Sequence, residues 1–308
     1  MAKKFTVVHR ADKNNVGDWA ANPLQYFLND DEYDVVDIDD LNKKGFPVNT
    51  NLIVGGGGLI DNPNFNQAME DLTDHPDRVR LKRLFRMRWK LTDQSLDEMH
   101  KEFTKEFERL IKDTYSNIPN GPEYKVIWGA GHNNSDAKAL KIKPQNLEYP
   151  DYLIDYDLVG VRDHNTGYQW APCASCMHPA LRKTYTVRND VIWFEHKKQL
   201  IKTFGAESVP RFINSGSNIE QTIELLGSAN TIITNSYHGA YWGTLLNKKV
   251  IVVDAWSSKF NYMKHKPTFI NSSTDWQDII DDVEQYDNAL DECCNATEKF
   301  WEIIKQRT

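Results

Sequence analysis

The amino-acid sequence predicts an α/β protein built from two doubly wound halves that face each other across a cleft. Three observations carry that expectation. Short aliphatic or β-branched runs, from Phe5 to Val8 through Val250 to Val253, alternate with stretches of helical character, the pattern of parallel strands joined by crossovers. Several runs end in glycines or small polar residues, where an open parallel sheet binds its ligands. A stretch rich in proline and small residues, 171–190, reads as a linker between an N-terminal half, 1–180, and a C-terminal half, 181–308. The first half is expected to carry a charged helical insertion at about 66–118, and the last helix to reach back over it.

At 308 residues, with 40% hydrophobic and 11% aromatic content, the chain has enough apolar mass for two cores. Its net charge of -7 argues against a general nucleic-acid binder, because neutralising phosphates takes a surplus of Lys and Arg on the binding face. No apolar run is long enough to span a bilayer, and the basic start lacks the apolar centre of a signal peptide, so the expected compartment is cytoplasmic. Cys173, Cys176, Cys293 and Cys294 are too few to frame a chain this large. The first two have the spacing of half a zinc site. Adjacent Cys293 and Cys294 bind one tetrahedral ion poorly, so free thiols and no metal are expected.

In chain order, Phe5 to Val8 is the first strand, with His9 and Arg10 at its end. Asn14 to Asp18 then leads into a helix expected over Trp19 to Leu28. Gly17 with Asn15 and Asp18 suits either a backbone approach to an anion or a plain helix start capped by Asp18. Tyr33 to Ile38 is a second strand, inside a run of seven acids between Asp30 and Asp40. Leu52 to Val54 is a third, ending in Gly55, Gly56, Gly57 and Gly58. Such a run is costly in backbone entropy and implies a turn closely approached by a ligand or a helix. It matches neither a dinucleotide fingerprint nor a Walker loop, since no Gly-Lys-Ser/Thr follows. In the basic block Arg78 to Lys90, Leu81, Leu84, Phe85 and Trp89 fall near helical spacing. An amphipathic helix with a solvated basic face is favoured there over a surface for an anionic polysaccharide or a lipid-linked acceptor.

Tyr124 to Trp128 ends in Gly129-Ala130-Gly131-His132, and Leu158 to Val161 ends in Arg162-Asp163. An arginine at a strand end suits a bidentate grip on phosphate or carboxylate, with Asp163 to orient it. Beyond the linker follow a strand Val191 to Phe194, a helix His196 to Phe204, a strand Arg211 to Ile213 and a helix Ile219 to Gly227. Then comes the stretch that organises the rest. Strand Thr231 to Thr234, polar turn Asn235 to Gly239, helix Ala240 to Leu246 and strand Val250 to Val253 place His238 where a strand gives way to a helix. Pro267 to Ile270 adds a strand, and helices at Trp276 to Ile279 and Ala289 to Gln306 close the chain.

At this point the residues resemble a known family. Asn15-Val16-Gly17-Asp18, Val54 to Leu59, Gly129-Ala130-Gly131, Gly160-Val161-Arg162-Asp163, His178-Pro179-Ala180-Leu181 and Thr234 to Gly239 follow the order and spacing of the polysaccharide pyruvyl transferases. The resemblance covers most of the chain and implies two Rossmann-like domains in a GT-B-like arrangement. It implies transfer of pyruvate from phosphoenolpyruvate, the donor substrate with no further cofactor, onto a hydroxyl pair of a saccharide or lipid-linked saccharide as a ketal. Such an acceptor leaves peripheral membrane contact open. By the resemblance His238 is the acid or the phosphate partner, and Arg162 grips the donor. Lys259 is a candidate second cation. Asn15, Gly17, Asp18, Gly56, Gly57, Gly58, Gly129, Gly131, His132, Ser236 and Gly239 complete the candidate binding set. Two positions depart from the pattern: Ser236 stands where many members have arginine, and His178-Pro179 where Asp-Pro is usual. The alternative is a glycosyltransferase that uses a nucleotide-linked sugar in the same cleft.

Overall fold

Short β-branched runs pair into two sheets whose central strands bury both of their faces. The computed structural model describes residues 4–41, 47, 49–81, 109, 121–136, 138–199 and 209–308. Strands β1 (Phe5–His9), β2 (Tyr33–Asp37), β3 (Asn51–Ile60), β4 (Tyr124–His132), β5 (Leu158–Val161) and β6 (Gln169–Trp170) form one sheet in the order β2-β1-β3-β4-β5-β6. Strands β7 (Asn189–His196), β8 (Arg211–Asn214), β9 (Ala229–Thr234), β10 (Lys249–Val253) and β11 (Thr268–Ile270) form the second, ordered β11-β10-β9-β7-β8. Every pairing between these strands is parallel. The protein is therefore α/β, with two parallel sheets.

Alternation along the strands explains why both sheets are sandwiched. In the first, Val8, Val54 and Ile127 enter one apolar cluster, while Val7, Ile53 and Val126, each one residue earlier, enter another. In the second, Ile232 and Val252 point to one cluster and Ile233 and Ile251 to the other. A period of two with apolar residues in both phases is what a strand covered on both faces requires.

Several boundaries differ from the sequence expectation, each for a physical reason. The first helix, α1 (Val16–Ala20), is short and ends before Asn22-Pro23, followed by a single turn at Leu24–Tyr26. Proline lacks the N–H that an extended helix would need there and restricts the residue before it. The glycines do not form a turn after the third strand. β3 continues through Gly55 to Gly58 and pairs with β4 as far as Ile60 with His132, with a register shift between Gly57 and Ile60. Gly56 sits at φ 72°, and a Cβ there would lie 1.7 Å from the Ala21 carbonyl oxygen, so the strand backbone is pressed onto the end of α1. β4 likewise runs on through Gly129 and Gly131.

Helix α2 (Asn66–Asp71) opens the charged segment; Leu84, Phe85 and Trp89 of the basic block lie outside the described residues. His196, expected to open a helix, ends β7 instead, and residues 200–208 lie outside the described set. Stretch 171–190 divides: 182–188 is largely exposed, as expected of a linker, whereas 171–181 is mostly buried. Its Cys173, Cys176, Ala180 and Leu181 are buried in the core of the second sheet together with helix α3 (Ile219–Gly227). Helix α4 (Tyr237–Leu245) starts three residues earlier than expected. No helix among the described residues is long and apolar enough to cross a membrane.

The final helix, α5 (Ala289–Arg307), belongs to both cores. Ala289, Cys293 and Cys294 pack with the second sheet's cluster, and Phe300, Trp301 and Ile304 with the first's. Trp128 stacks on Trp301 at 5.7 Å and meets Phe300 at 5.6 Å. A Cβ on Gly160 would lie 2.5 Å from the Phe300 ring, so strand and helix touch directly. Phe300→Ala is expected to cost about 3–5 kcal/mol, from lost transfer energy plus a residual cavity. A lowered denaturant midpoint at unchanged slope would register it.

Candidate functional site

Strand ends from both sheets converge on one pocket of about 700 Å³ of empty space, including the part open to solvent. Its first wall comes from the β1–α1 segment (Arg10, Asn15, Asp18) and from Gly56, Gly57 and Gly58 of β3. Arg162, just past β5, lies beside Tyr237 and His238 at the start of α4. The remaining wall holds His196 and Asn214 from the ends of β7 and β8, with Trp256 and Lys259 from the loop after β10.

Cross-links between loops hold these groups in place. Ser257 Oγ donates to Asn133 Oδ1 at 2.7 Å, the Asn134 N–H donates to Ser258 Oγ at 3.1 Å, and the Ser258 N–H donates to the Asn134 carbonyl at 2.9 Å. The loop carrying Lys259 is thereby tied to the end of β4. On the other side Lys197 donates to Asp12 at 2.8 Å and to the Asn14 carbonyl at 3.0 Å, tying the end of β7 to the segment that enters α1.

Helix α1 is capped by Asn15, not by Asp18: the Gly17 N–H donates to Asn15 Oδ1 at 3.2 Å. Asp18 lies one turn in and accepts from Asn15 Nδ2 at 2.9 Å. The Gly17 N–H is therefore engaged within the cap. What its missing side chain admits is the imidazole of His238: a Cβ on Gly17 would lie 2.0 Å from His238 Nδ1. The two sheets meet here with no room for a methyl group. His238 is buried, its Nε2 is 3.5 Å from the Cys173 thiol, and its ring lies 5.0 Å from that of Trp242.

Arg162 is 5% exposed and has no carboxylate partner among the described residues. Its guanidinium lies 4.2 Å from the centre of the Tyr237 ring, its Nη2 donates to the His132 carbonyl at 3.4 Å, and its Nε is unpaired. Asp163, expected to orient it, does something else. It accepts from the His132 N–H at 2.9 Å and pairs with His132 Nδ1 at 2.7 Å. His132 also contacts the Glu148 carbonyl and the Tyr149 ring, so it is a buried brace and not a ligand contact. Lys259 is partly buried with its Nζ 3.9 Å from the Trp256 ring centre, again with no carboxylate partner among the described residues.

Burial and like charge distort the protonation of this group. Burial, then the charge of Arg162, lowers Lys259 to about 7, with Asp18 pulling the other way. Burial, reinforced by Arg162 and Lys259, holds His238 down to about 3. Burial likewise holds His196 and His9 down to about 4. Burial pushes Asp18 up to about 6 against the pull of Arg10 and Lys259.

Of the residues singled out in the sequence, Asn15, Asp18, Gly56, Gly57, Gly58, Arg162, Ser236, His238 and Lys259 line the pocket. Gly17, Gly129, Gly131, His132 and Gly239 do not. Gly129 faces the Pro172 carbonyl, Gly131 makes room for the Arg162 side chain, and Gly239 packs on Phe194 and Thr234. His196, Asn214 and Trp256 escaped the sequence reading. The first two end strands β7 and β8, the position that drew attention to His238, so the same rule would have found them.

A scan against protein-family models finds none that matches, and no curated protein matches the chain. Among solved structures, one similar chain is a functionally uncharacterized protein from Klebsiella pneumoniae subsp. pneumoniae NTUH-K2044, at 15% identity over 87% of this chain and 92% of that one, with a TM-score of 0.38.

Two outcomes test this geometry. Gly17→Ala must displace the His238 ring or the helix that carries it, and overpacking of this kind costs about 1–3 kcal/mol; a lower melting temperature and a shifted His238 imidazole resonance are expected. Stability should also depend on pH. His9 and His238 titrate near 6.5 when unfolded but at about 4 and about 3 when folded, so below pH 6.5 the unfolded state binds more protons. The denaturant midpoint should therefore fall as pH drops from 6.5 towards 4. Asp18, raised to about 6, contributes stability that is lost as pH rises through that value, so Asp18→Asn should steepen the acid fall.

Proposed function

We propose that the protein transfers pyruvate from phosphoenolpyruvate to a pair of sugar hydroxyls, with its two sheets acting as Rossmann-like domains on either side of the pocket. One observation carries the reading: Arg162 and Lys259 reach the same pocket as His238, and neither has a carboxylate partner among the described residues. A small donor bearing both a phosphate and a carboxylate supplies the two missing anions. Arg162 offers a planar fork suited to either group, and Lys259 a compact point charge.

Each step of the chemistry then finds a group in the pocket. A proton reaches the methylene carbon of the donor, its neighbour becomes electrophilic, and one sugar hydroxyl adds there as it gives up its own proton. The second hydroxyl then attacks the same carbon, the bond to phosphate breaks, and that hydroxyl's proton leaves on the inorganic phosphate as the ketal closes. His238 serves as proton donor once the bound dianion has raised it from the low value it holds in the empty pocket. Asp18, which lines the pocket and is raised to about 6 yet ionised at neutral pH, accepts the proton of the attacking hydroxyl in this scheme.

Phosphoenolpyruvate should raise the melting temperature of the wild-type chain, and less so for Arg162→Ala and Lys259→Ala. The shift should shrink as pH rises through about 7, because Lys259 then loses the charge that the donor needs. With labelled donor, His238→Ala should lower pyruvate transfer by about 10²–10⁴-fold. Stabilisation by nucleoside diphosphates but not by phosphoenolpyruvate, or transfer at the parent rate in folded Arg162→Ala and His238→Ala variants, would overturn the reading.

A further inference from the structure

Helix α4 begins with its first turn open. The Ala240 N–H closes onto the Ser236 carbonyl at 3.0 Å, but the N–H groups of Tyr237, His238 and Gly239 before it have no partner among the described residues. Ser236 stands at the capping position with the extended backbone that capping needs, φ -94° and ψ 129°, and serine is a favoured cap. Its hydroxyl nevertheless bonds none of those N–H groups.

The hydroxyl is held elsewhere. Asn214, the last residue of β8 and 3% exposed, donates from Nδ2 to Ser236 Oγ at 2.9 Å. Turning the amide over would leave the same two side chains bonded, with the hydroxyl as donor. The Ser236 N–H donates to Thr234 Oγ1 at 2.9 Å, which fixes the residue from its other side. Asn214 gains little stability from this, because its Oδ1 is buried without a partner. Ser236, Tyr237, His238 and Asn214 all line the cationic pocket. Arg162, 5% exposed, brings its guanidinium to 4.2 Å from the ring centre of Tyr237, the first residue of the helix, with its Nε unpaired. A buried cation beside an open helix start offers an anionic oxygen both charge and hydrogen-bond donors. A serine hydroxyl turned onto that start would take the donors away.

We infer that Asn214 is a positioning residue: by holding the Ser236 hydroxyl off the first turn of α4, it keeps that turn's N–H groups open to an anionic oxygen beside Arg162. The inference rests on the proposed occupation of the pocket by an anion, but not on pyruvyl transfer. Asn214 acts through Ser236 and not by touching the anion. Its removal therefore does harm only while the serine hydroxyl is present.

Calorimetric titration of the full chain with inorganic phosphate tests this. Asn214→Ala frees the hydroxyl to cap α4, so phosphate affinity should fall about tenfold, the scale of one hydrogen bond to a charged group. Adding Ser236→Ala removes the competing hydroxyl and should recover most of that loss. Without phosphate, the His238 or Gly239 amide should exchange with solvent more slowly in Asn214→Ala than in the parent, since it is then bonded. Should the alanine variant not fold, Asn214→Val, better suited to a strand end, gives the same comparison. Unchanged affinity in a folded Asn214 variant, a loss that Ser236→Ala leaves in place, as a direct Asn214 contact would, or no phosphate binding by the parent chain at millimolar concentration overturns the proposal. The labelled-donor assay on the parent chain reports separately: phosphate binding in the expected pattern without pyruvate transfer removes the proposed function and leaves this inference standing.

Discussion

Two cations in one pocket, neither with an ion-paired carboxylate among the described residues, are the constraint on which the site depends. A guanidinium and an ammonium brought into one partly dry pocket repel each other and lose hydration, a cost that proteins usually offset with a carboxylate. Here each is accommodated differently. Lysine can give up its proton, and Lys259 is lowered to about 7. Arginine cannot, so Arg162 leans on the π-face of Tyr237 and on the His132 carbonyl. His132 is in turn locked by Asp163, so the carboxylate that the sequence offers as a guide for Arg162 braces the carbonyl that Arg162 uses instead.

Holding that arrangement takes close backbone contact, which is where the glycines enter. Gly17 lets α1 touch the imidazole of His238, Gly56 lets β3 touch the end of α1, and Gly131 leaves space for the stem of Arg162. Each removes a side chain from a junction between elements. The pocket is thus framed by main chain on one side and by cations and aromatic rings on the other. The loop hydrogen bonds from Ser257 and Ser258 to Asn133 and Asn134 keep the two sides in register.

Much of this was legible because chemistry in a parallel sheet collects at the carboxyl ends of strands. That rule marked His238 and Arg162 at their strand ends and drew attention to Asn15 and Asp18 at a helix start, and the structure brings all four to one pocket. The two parallel sheets were legible for the same reason, in the alternation of strand and helix. The glycine runs were misread because glycine breaks the hydrophobic period that marks a strand; only the partner strand β4, some seventy residues on, shows that β3 continues. The role of Asp163 was misread because its partner His132 lies 31 positions away, beyond any local pattern. The length of α1 was readable and was passed over, since Pro23 already forbids the longer helix. The burial of 171–181 was hidden by its composition: small residues and proline signal a linker, yet Cys173 and Cys176 pack tightly because they are small.

The environments of Asp18 and His238 are pushed in opposite directions, and that separation gives the pocket its working order. Two titratable groups with ordinary values would both change state over a narrow range near neutrality or below it. Here the carboxylate is raised to about 6 and the imidazole lowered to about 3, so at neutral pH the first is a ready base and the second an uncharged ring. An incoming dianion would favour the protonated forms of His238, Lys259 and Asp18 alike, because all three line one pocket, and Arg10 at 3.9 Å opposes that effect on Asp18 alone. Under the proposed transfer, it is donor occupancy that would turn His238 into the acid, while Arg10 keeps Asp18 available as the base.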